Sequence, residues 1–119
     1  MTETASNATT DTITVYMTAA SYDEARRLAA GLIENRLAAC VNILGQIQSV
    51  FYWDGVQEET EVALIAKASR EDFPAVNRKI RELHSYDCPC VVAWPIAAGD
   101  DEFVQWIGDE TLGKRNSNG

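Results

Sequence analysis

The spacing of hydrophobic residues changes several times along the chain, and each change marks a new element. Alternating apolar and polar positions over residues 13–18 predict a first strand. Ser21 and Glu24 then have the spacing of a capping box, and the apolar residues that follow recur at three- and four-residue intervals. This pattern predicts a first helix over Tyr22–Glu34.

A long ribbon of two strands is predicted after this helix. Residues 38–44 are apolar and β-branched, Gly45 interrupts them, and strand-forming residues resume over 47–53. The dipeptide Asp54-Gly55 is typical of a tight hairpin turn. We expect Gly45 to mark a bend or a bulge in one long strand.

The second half of the chain continues this alternation of strand and helix patterns. Residues 62–68 form the returning arm of the ribbon, and the polar residues 57–61 before it are expected to fray or bulge. An apolar stripe that starts at Phe73 predicts a second helix that ends near His84. Residues 88–96 are apolar between two prolines and predict an edge strand or a strand bounded by turns.

A last short helix is predicted where acidic residues precede an apolar face that includes Phe103, Trp106 and Ile107. The order β, α, β, β, α, β, α predicts an α+β fold of the ferredoxin-like βαββαβ type with an added C-terminal helix. We expect one domain over residues 12–112, with flexible tails at residues 1–11 and 113–119.

Large apolar residues exceed what one layer of helices covers, so we expect part of the open sheet face to be an oligomer interface. The residues concerned are Val50, Phe51, Tyr52, Trp53, Trp94 and Ile96.

Composition narrows the choice of partners. The 119 residues are 46% hydrophobic and 24% charged, and no apolar stretch is long enough to span a bilayer. A formal net charge of -8 repels a phosphate backbone, so we expect no nucleic-acid partner. The Thr- and Ser-rich start does not resemble a secretory signal, which predicts a cytoplasmic protein.

Candidate chemistry is limited to a few side chains. His84 is the single histidine, and no nucleophile motif accompanies it, so we predict no enzymatic activity and a surface position at the helix end. In an extended strand, Cys88 and Cys90 would lie on the same side, with their Cα atoms roughly 6.6 Å apart. They are either packed cysteines or, with His84 or Met17, ligands for a soft metal such as Cu(I) or zinc.

Two further residues in the ribbon allow alternative interpretations. We expect Cys40 to be a small core residue rather than a reactive thiol. Lys67 interrupts an apolar strand, so it either extends to solvent at a sheet edge or enters a pocket where it meets an anion.

Several segments resemble the CutA family of divalent-cation tolerance proteins, in the same order and with similar spacing over residues 13–112. The segments are LAACVNI (37–43), YWDG (52–55), IAKAS (65–69), HSYDCP (84–89), WPI (94–96) and WI (106–107). The resemblance implies a PII-like homotrimer that is assembled through the ribbon and the last strand and helix. It also implies a role in copper and divalent metal ion tolerance, with metal binding and without a settled enzymatic activity.

The resemblance further implies a pocket near the clefts between subunits, formed by Trp53, Glu61, Lys67 and Tyr86 together with His84. This leads to two hypotheses. The first is a metal-binding tolerance protein, and the alternative is a PII-like sensor that holds a small anionic metabolite against Lys67 in the intersubunit cleft.

The sequence departs from the family at two positions where metal binding has been proposed. Met17 stands where a cysteine is sometimes found on the first strand, and Cys90 replaces the last glutamate of the motif His-Pro-Tyr-Glu-x-Pro-Glu. Thioether, imidazole and thiolate groups suit soft metals. Met17, His84 and Cys90 are therefore the predicted metal ligands.

Overall fold

The computed structural model describes residues 5–6 and 10–111, which form a mixed α+β fold as predicted. The strands of this part of the chain are β1 (Ala5–Ser6), β2 (Thr12–Ala19), β3 (Cys40–Tyr52), β4 (Val56–Ser69), β5 (Val91–Pro95) and β6 (Gly99–Asp100). The helices are α1 (Tyr22–Glu34), α2 (Phe73–Leu83) and α3 (Asp101–Asp109), with a 3-10 turn at Arg70–Asp72. None of these helices is both long enough and apolar enough to cross a membrane.

The main sheet has the strand order β3-β4-β2-β5, and every neighbouring pair is antiparallel. Successive side chains of a strand point to opposite faces, so the sheet has two chemically different sides. On one side, residues such as Met17 and Leu64 pack with Leu28 and Leu32 of α1 and Ile80 of α2. We call this the helix face, and the opposite side the open face.

Helix α1 has the bounds that the capping box predicts. The Ser21 hydroxyl accepts a hydrogen bond from the Glu24 backbone N–H at 3.1 Å, which satisfies one of the free N–H groups at the helix start. The Glu24 carboxylate does not return to Ser21, because it accepts a hydrogen bond from the Ala20 backbone N–H at 3.2 Å. The predicted second helix also ends at the expected place, with His84 as its C-cap.

The ribbon formed by β3 and β4 confirms the predicted turn and bulge. Asp54 and Gly55 both have positive φ, 53° and 99°, as a tight hairpin turn of this type requires. The pairing register shifts between Ile43 and Gly45, where Gly45 has a φ of 122°. The predicted fraying of residues 57–61 is wrong, because each of these residues pairs with β3.

Cross-strand hydrogen bonds explain why the polar stretch remains paired. The Thr60 hydroxyl donates to Gln48 Oε1 at 3.0 Å, and Gln48 Nε2 donates to Glu58 at 3.3 Å. Polar pairs of this kind stabilise a solvated ribbon without apolar burial.

The last strand of the main sheet begins three residues later than the predicted start at residue 88. The strand β5 begins at Val91, so Cys88 and Cys90 precede it and do not lie in an extended strand. Pro89 has no backbone N–H to donate to a neighbouring strand, which explains the later start.

The predicted tails fall mostly outside the described residues. Residues 1–4, 7–9 and 112–119 lie there, and with them the whole of the tail at 113–119. In the predicted N-terminal tail, β1 pairs with β6, and the Thr10 backbone N–H donates to the Ile96 carbonyl at 3.1 Å.

Candidate functional site

The open face carries a polar cluster where β4 and β2 approach the segment before β5. Glu61 of β4 is only 8% exposed, and the Tyr86 hydroxyl donates to its Oε2 at 3.4 Å. Tyr16 of β2 and the Cys90 thiol are close enough to Glu61 for its charge to affect both groups. We call Tyr16, Glu61, Tyr86 and Cys90 the open-face cluster.

Burial and negative charge keep the acids around Glu61 protonated. Burial, followed by the charge of Glu61, raises the pKa of Tyr86 and also that of the Cys90 thiol. Burial raises the pKa of Tyr16 as well, with smaller contributions from Cys90 and Glu61. The ion pairs found among the described residues do not involve Glu61. The cluster therefore presents a carboxylate with protonated neighbours and no cationic partner within this part of the chain.

The side chain of His84 lies behind this cluster and is fully buried, so its predicted surface position is wrong. Its Nε2–H donates to the Thr18 carbonyl at 2.7 Å, because a carbonyl oxygen can only accept. Its Nδ1 accepts from the Tyr86 backbone N–H at 3.0 Å. The imidazole thus holds Tyr86 in position, next to the open-face cluster.

Glu24 completes the buried network and is the residue that sequence reasoning missed. Its carboxylate is 3.3 Å from His84 Nδ1, and it also accepts a hydrogen bond from the Ser85 backbone N–H at 3.2 Å. Burial acts to raise the pKa of Glu24, but hydrogen bonds from Ser85 and Ala20 outweigh it and lower this pKa overall. The signal in the sequence was the capping-box glutamate, which also ties α1 to the segment after α2.

The predicted metal ligands Met17, His84 and Cys90 are not brought together. Met17 is fully buried on the helix face, whereas Cys90 lies near Tyr16, the neighbour of Met17 that points to the open face. Both ring nitrogens of His84 already have hydrogen-bond partners. Among residues 5–6 and 10–111, no three His, Cys, Asp or Glu side chains form a group that could hold a metal ion. These three residues do not fit a metal ion within one chain.

The predicted pocket residues lie in three separate places. Glu61 and Tyr86 meet in the open-face cluster. Lys67 lies six residues further along β4, roughly 20 Å away, and its Nζ donates to Asn42 Oδ1 at 2.6 Å. Trp53 is 71% exposed beside the hairpin turn. One chain alone therefore does not form this pocket.

The three cysteines are all free, and their predicted packing is wrong. Cys40 is only partly buried, because it lies opposite Lys67 and shares the open face with it. Cys88 and Cys90 are exposed. The Cys90 thiol is nevertheless partly buried beside Glu61.

The geometry defines a class of protein, namely small α+β subunits with two helices, α1 and α2, on one face of a four-stranded antiparallel sheet and polar chemistry on the other. The model of the family described as CutA1 divalent ion tolerance protein matches residues 13–110, and the chain belongs to this family.

Individual relatives agree with this assignment. The divalent-cation tolerance protein CutA of Archaeoglobus fulgidus is 46% identical over 99 residues, which are 82% of this chain and 95% of the relative. The solved structure of the Thermus thermophilus divalent cation tolerance protein is 39% identical with a TM-score of 0.82, and the match covers 84% of this chain and 98% of that one. The solved Archaeoglobus fulgidus structure, described as a periplasmic divalent cation tolerance protein, is 43% identical with a TM-score of 0.81, and 83% and 97% of the two chains match.

Proposed function

We propose that this protein is a homotrimer that contributes to divalent-cation tolerance by binding cations, copper among them, and that it catalyses no reaction. The observation that carries cation binding is Glu61, a nearly buried carboxylate on the open face with no cationic partner among the described ion pairs. The Cys90 thiol is its neighbour. Carboxylate and thiolate together suit borderline ions such as Zn(II), whereas a site of carboxylates alone favours harder ions.

One chain supplies Glu61 and Cys90 as strong ligands, which is fewer than the four that zinc takes. In the proposal, water or another subunit provides the remaining ligands. This requirement links cation binding to assembly.

Calorimetric titration of the reduced protein with Zn(II) and Cu(II) tests the cation site. We expect Glu61→Gln and Cys90→Ser to bind at least ~10-fold more weakly, because each loses one charged ligand. Glu58→Gln is the matched control, since Glu58 is exposed on the same strand but belongs to neither the cluster nor its face. Equal affinities in all three variants, or no binding by the unchanged protein, would overturn the proposal.

Exposed apolar residues at the end of the ribbon support the trimer. Tyr52, Trp53 and Val56 are 79%, 71% and 75% exposed, and apolar patches of this kind usually mark an interface. Sedimentation at low micromolar concentration should give a trimer, and Trp53→Ser should shift the equilibrium toward smaller species. Ile33→Ser, at an exposed position of α1, should leave the assembly unchanged. A wild-type protein that sediments only as a monomer would refute the trimer.

Two finer features belong to the same proposal. We propose that the fold is ferredoxin-like, which the strand order β3-β4-β2-β5 with two helices on one face supports. We also propose a cytoplasmic location, although the Archaeoglobus fulgidus relative is described as periplasmic. Cell fractionation with a tagged chain separates the two locations.

The alternative of a PII-like sensor gains no support from the related proteins. The residue on which it depends, Lys67, already donates a hydrogen bond to Asn42. The cation-binding proposal is therefore the one that we retain.

A further inference from the structure

A polar cleft lies where β2 begins and β4 ends. Its volume is about 760 Å³, within the range of about 300 to 1,000 Å³ that is usual for small-molecule sites. Its walls come from the start of β2, the end of β4 with the 3-10 turn, and one side of α3. Ser69, which lines the cleft, is eight residues from Glu61 along β4, roughly 25 Å away. The cleft is therefore separate from the proposed divalent-cation site.

The Thr12 hydroxyl in the wall of the cleft can accept further hydrogen bonds but cannot donate one. A hydroxyl group has a single proton, and Thr10 donates its own to the Ile96 carbonyl at 2.8 Å. In the contact between the Thr10 and Thr12 hydroxyl groups, Thr12 is therefore the donor. Its proton is used, and its lone pairs remain beside the cleft.

The Ser69 hydroxyl is in the same situation. The Thr111 hydroxyl donates to the Gly108 carbonyl at 3.2 Å, so Ser69 is the donor in its contact with Thr111. Ser69 pairs directly with Thr12 across β4 and β2, which places their side chains on the same side of the sheet. The cleft thus has two neighbouring acceptor oxygens, and an ammonium group, which has three donors, matches them.

The charged groups at the rim of the cleft have mixed sign. Asp11, Glu71 and Asp101 supply carboxylates, and Arg70 supplies a guanidinium group. None of these four residues takes part in the ion pairs found over residues 10–111. The Arg70 guanidinium donates to the Thr10 carbonyl at 3.4 Å, which places it close to the Thr12 hydroxyl. A simple anion would meet the carboxylates and a simple cation would meet Arg70, whereas a zwitterion has a partner for each.

We propose that this cleft binds a free α-amino acid with a cationic side chain. The α-ammonium group donates to the Thr12 and Ser69 oxygens, and the α-carboxylate pairs with Arg70. The rim has more carboxylates than guanidinium groups, so a cationic side chain is favoured over a neutral or acidic one. A metal ion is a poor alternative occupant, because no three carboxylates of the described residues form a group that could hold one. The inference goes beyond the proposed function and does not depend on it.

Calorimetric titration at low ionic strength with matched probes tests the two charged contacts. L-Lysine carries all the proposed groups, cadaverine lacks its carboxylate, and 6-aminohexanoate lacks its α-ammonium group. We expect one L-lysine per chain and at least ~10-fold weaker binding of the other two, because each loses one charge-assisted contact. L-Leucine, which has no side-chain charge, should also bind more weakly than L-lysine.

Arg70→Gln assigns the carboxylate contact to its residue. This variant should bind L-lysine ~10-fold more weakly and cadaverine no more weakly than the unchanged protein does. Arg78→Gln is the matched control, since Arg78 is an exposed arginine of α2 outside the cleft, and it should bind both probes normally. Ser69→Ala should weaken the binding of L-lysine but not that of 6-aminohexanoate.

Several results would contradict the inference. These are no binding of L-lysine, equal affinities for L-lysine and cadaverine, or equal affinities of Arg70→Gln and Arg78→Gln for L-lysine. An L-leucine affinity equal to that of L-lysine would refute the cationic side chain. Glu61→Gln should bind L-lysine as the unchanged protein does while it loses Zn(II) affinity, so the amino-acid site and the divalent-cation site can fail separately.

Discussion

Replacement of Glu24 by glutamine tests the buried network that positions Tyr86. Glu24 is 2% exposed, and its carboxylate accepts backbone hydrogen bonds from Ala20 and Ser85, both at 3.2 Å. Glutamine keeps the shape of the side chain but has only one acceptor oxygen. One of the two backbone N–H groups therefore loses its partner, and the network loses its negative charge.

The magnitude follows from hydrogen bonds to charged groups, which are worth about 1.5 to 3 kcal/mol each. With one such bond lost and the other weakened, we expect Glu24→Gln to lower the free energy of unfolding by about 2 to 3 kcal/mol at pH 7. Hydrogen bonds from Ser85 and Ala20, which together outweigh burial, lower the pKa of Glu24 in the folded state. The stabilisation is thus complete above the unfolded pKa of about 4.3 and is lost as the pH falls through the lower, folded value.

Guanidinium unfolding followed by tryptophan fluorescence measures this effect, at one protomer concentration because the stability of an oligomer depends on concentration. Glu34→Gln, an exposed substitution at the end of the same helix, is the control and should stay within about 0.5 kcal/mol of the unchanged protein. The reasoning is refuted if Glu24→Gln is no less stable than this control at pH 7. It also fails if the difference between Glu24→Gln and the unchanged protein does not shrink below about pH 4.

Two further predictions concern the bulge and the open-face cluster. Gly45→Ala should lower the free energy of unfolding by about 1 to 3 kcal/mol, because its φ of 122° strains any residue with a Cβ atom. Gly108→Ala in α3, where an added Cβ meets no atom within 4 Å, should not be destabilising, and equal losses in both variants would contradict the backbone argument. In an ultraviolet titration, Tyr16 and Tyr86 should ionise above the ordinary tyrosine range, and Glu61→Gln should lower the pKa of both. A wild-type titration with all four tyrosines at the ordinary value would refute this.

Local patterns predicted most elements well, because the forces that set them act between residues near in the chain. The capping box with its apolar stripe gave both ends of α1, and the Asp54-Gly55 dipeptide gave the hairpin turn. Gly45 was correctly identified as the bulge, since few other residues adopt its φ.

The candidate site was less predictable, because its contacts join distant parts of the chain. The carbonyl that fixes His84 belongs to Thr18, 66 residues earlier, and the carboxylate that fixes Ser85 belongs to Glu24, 61 residues earlier. Nothing in the local sequence of a helix end predicts such partners. The same limit applies to residues 57–61, whose pairing depends on Gln48 across the ribbon.

The bulge at Gly45 also determines which side of the ribbon each residue faces. Before it, Ile43 pairs with Leu64 and faces the helices, but after it Ile47 pairs with Glu61 and lies on the open face. A strand without the extra residue would keep odd-numbered positions on the helix face throughout. An in-frame deletion of the single codon for Leu44 would therefore remove the bulge and leave each outer residue opposite its present partner and on its present face.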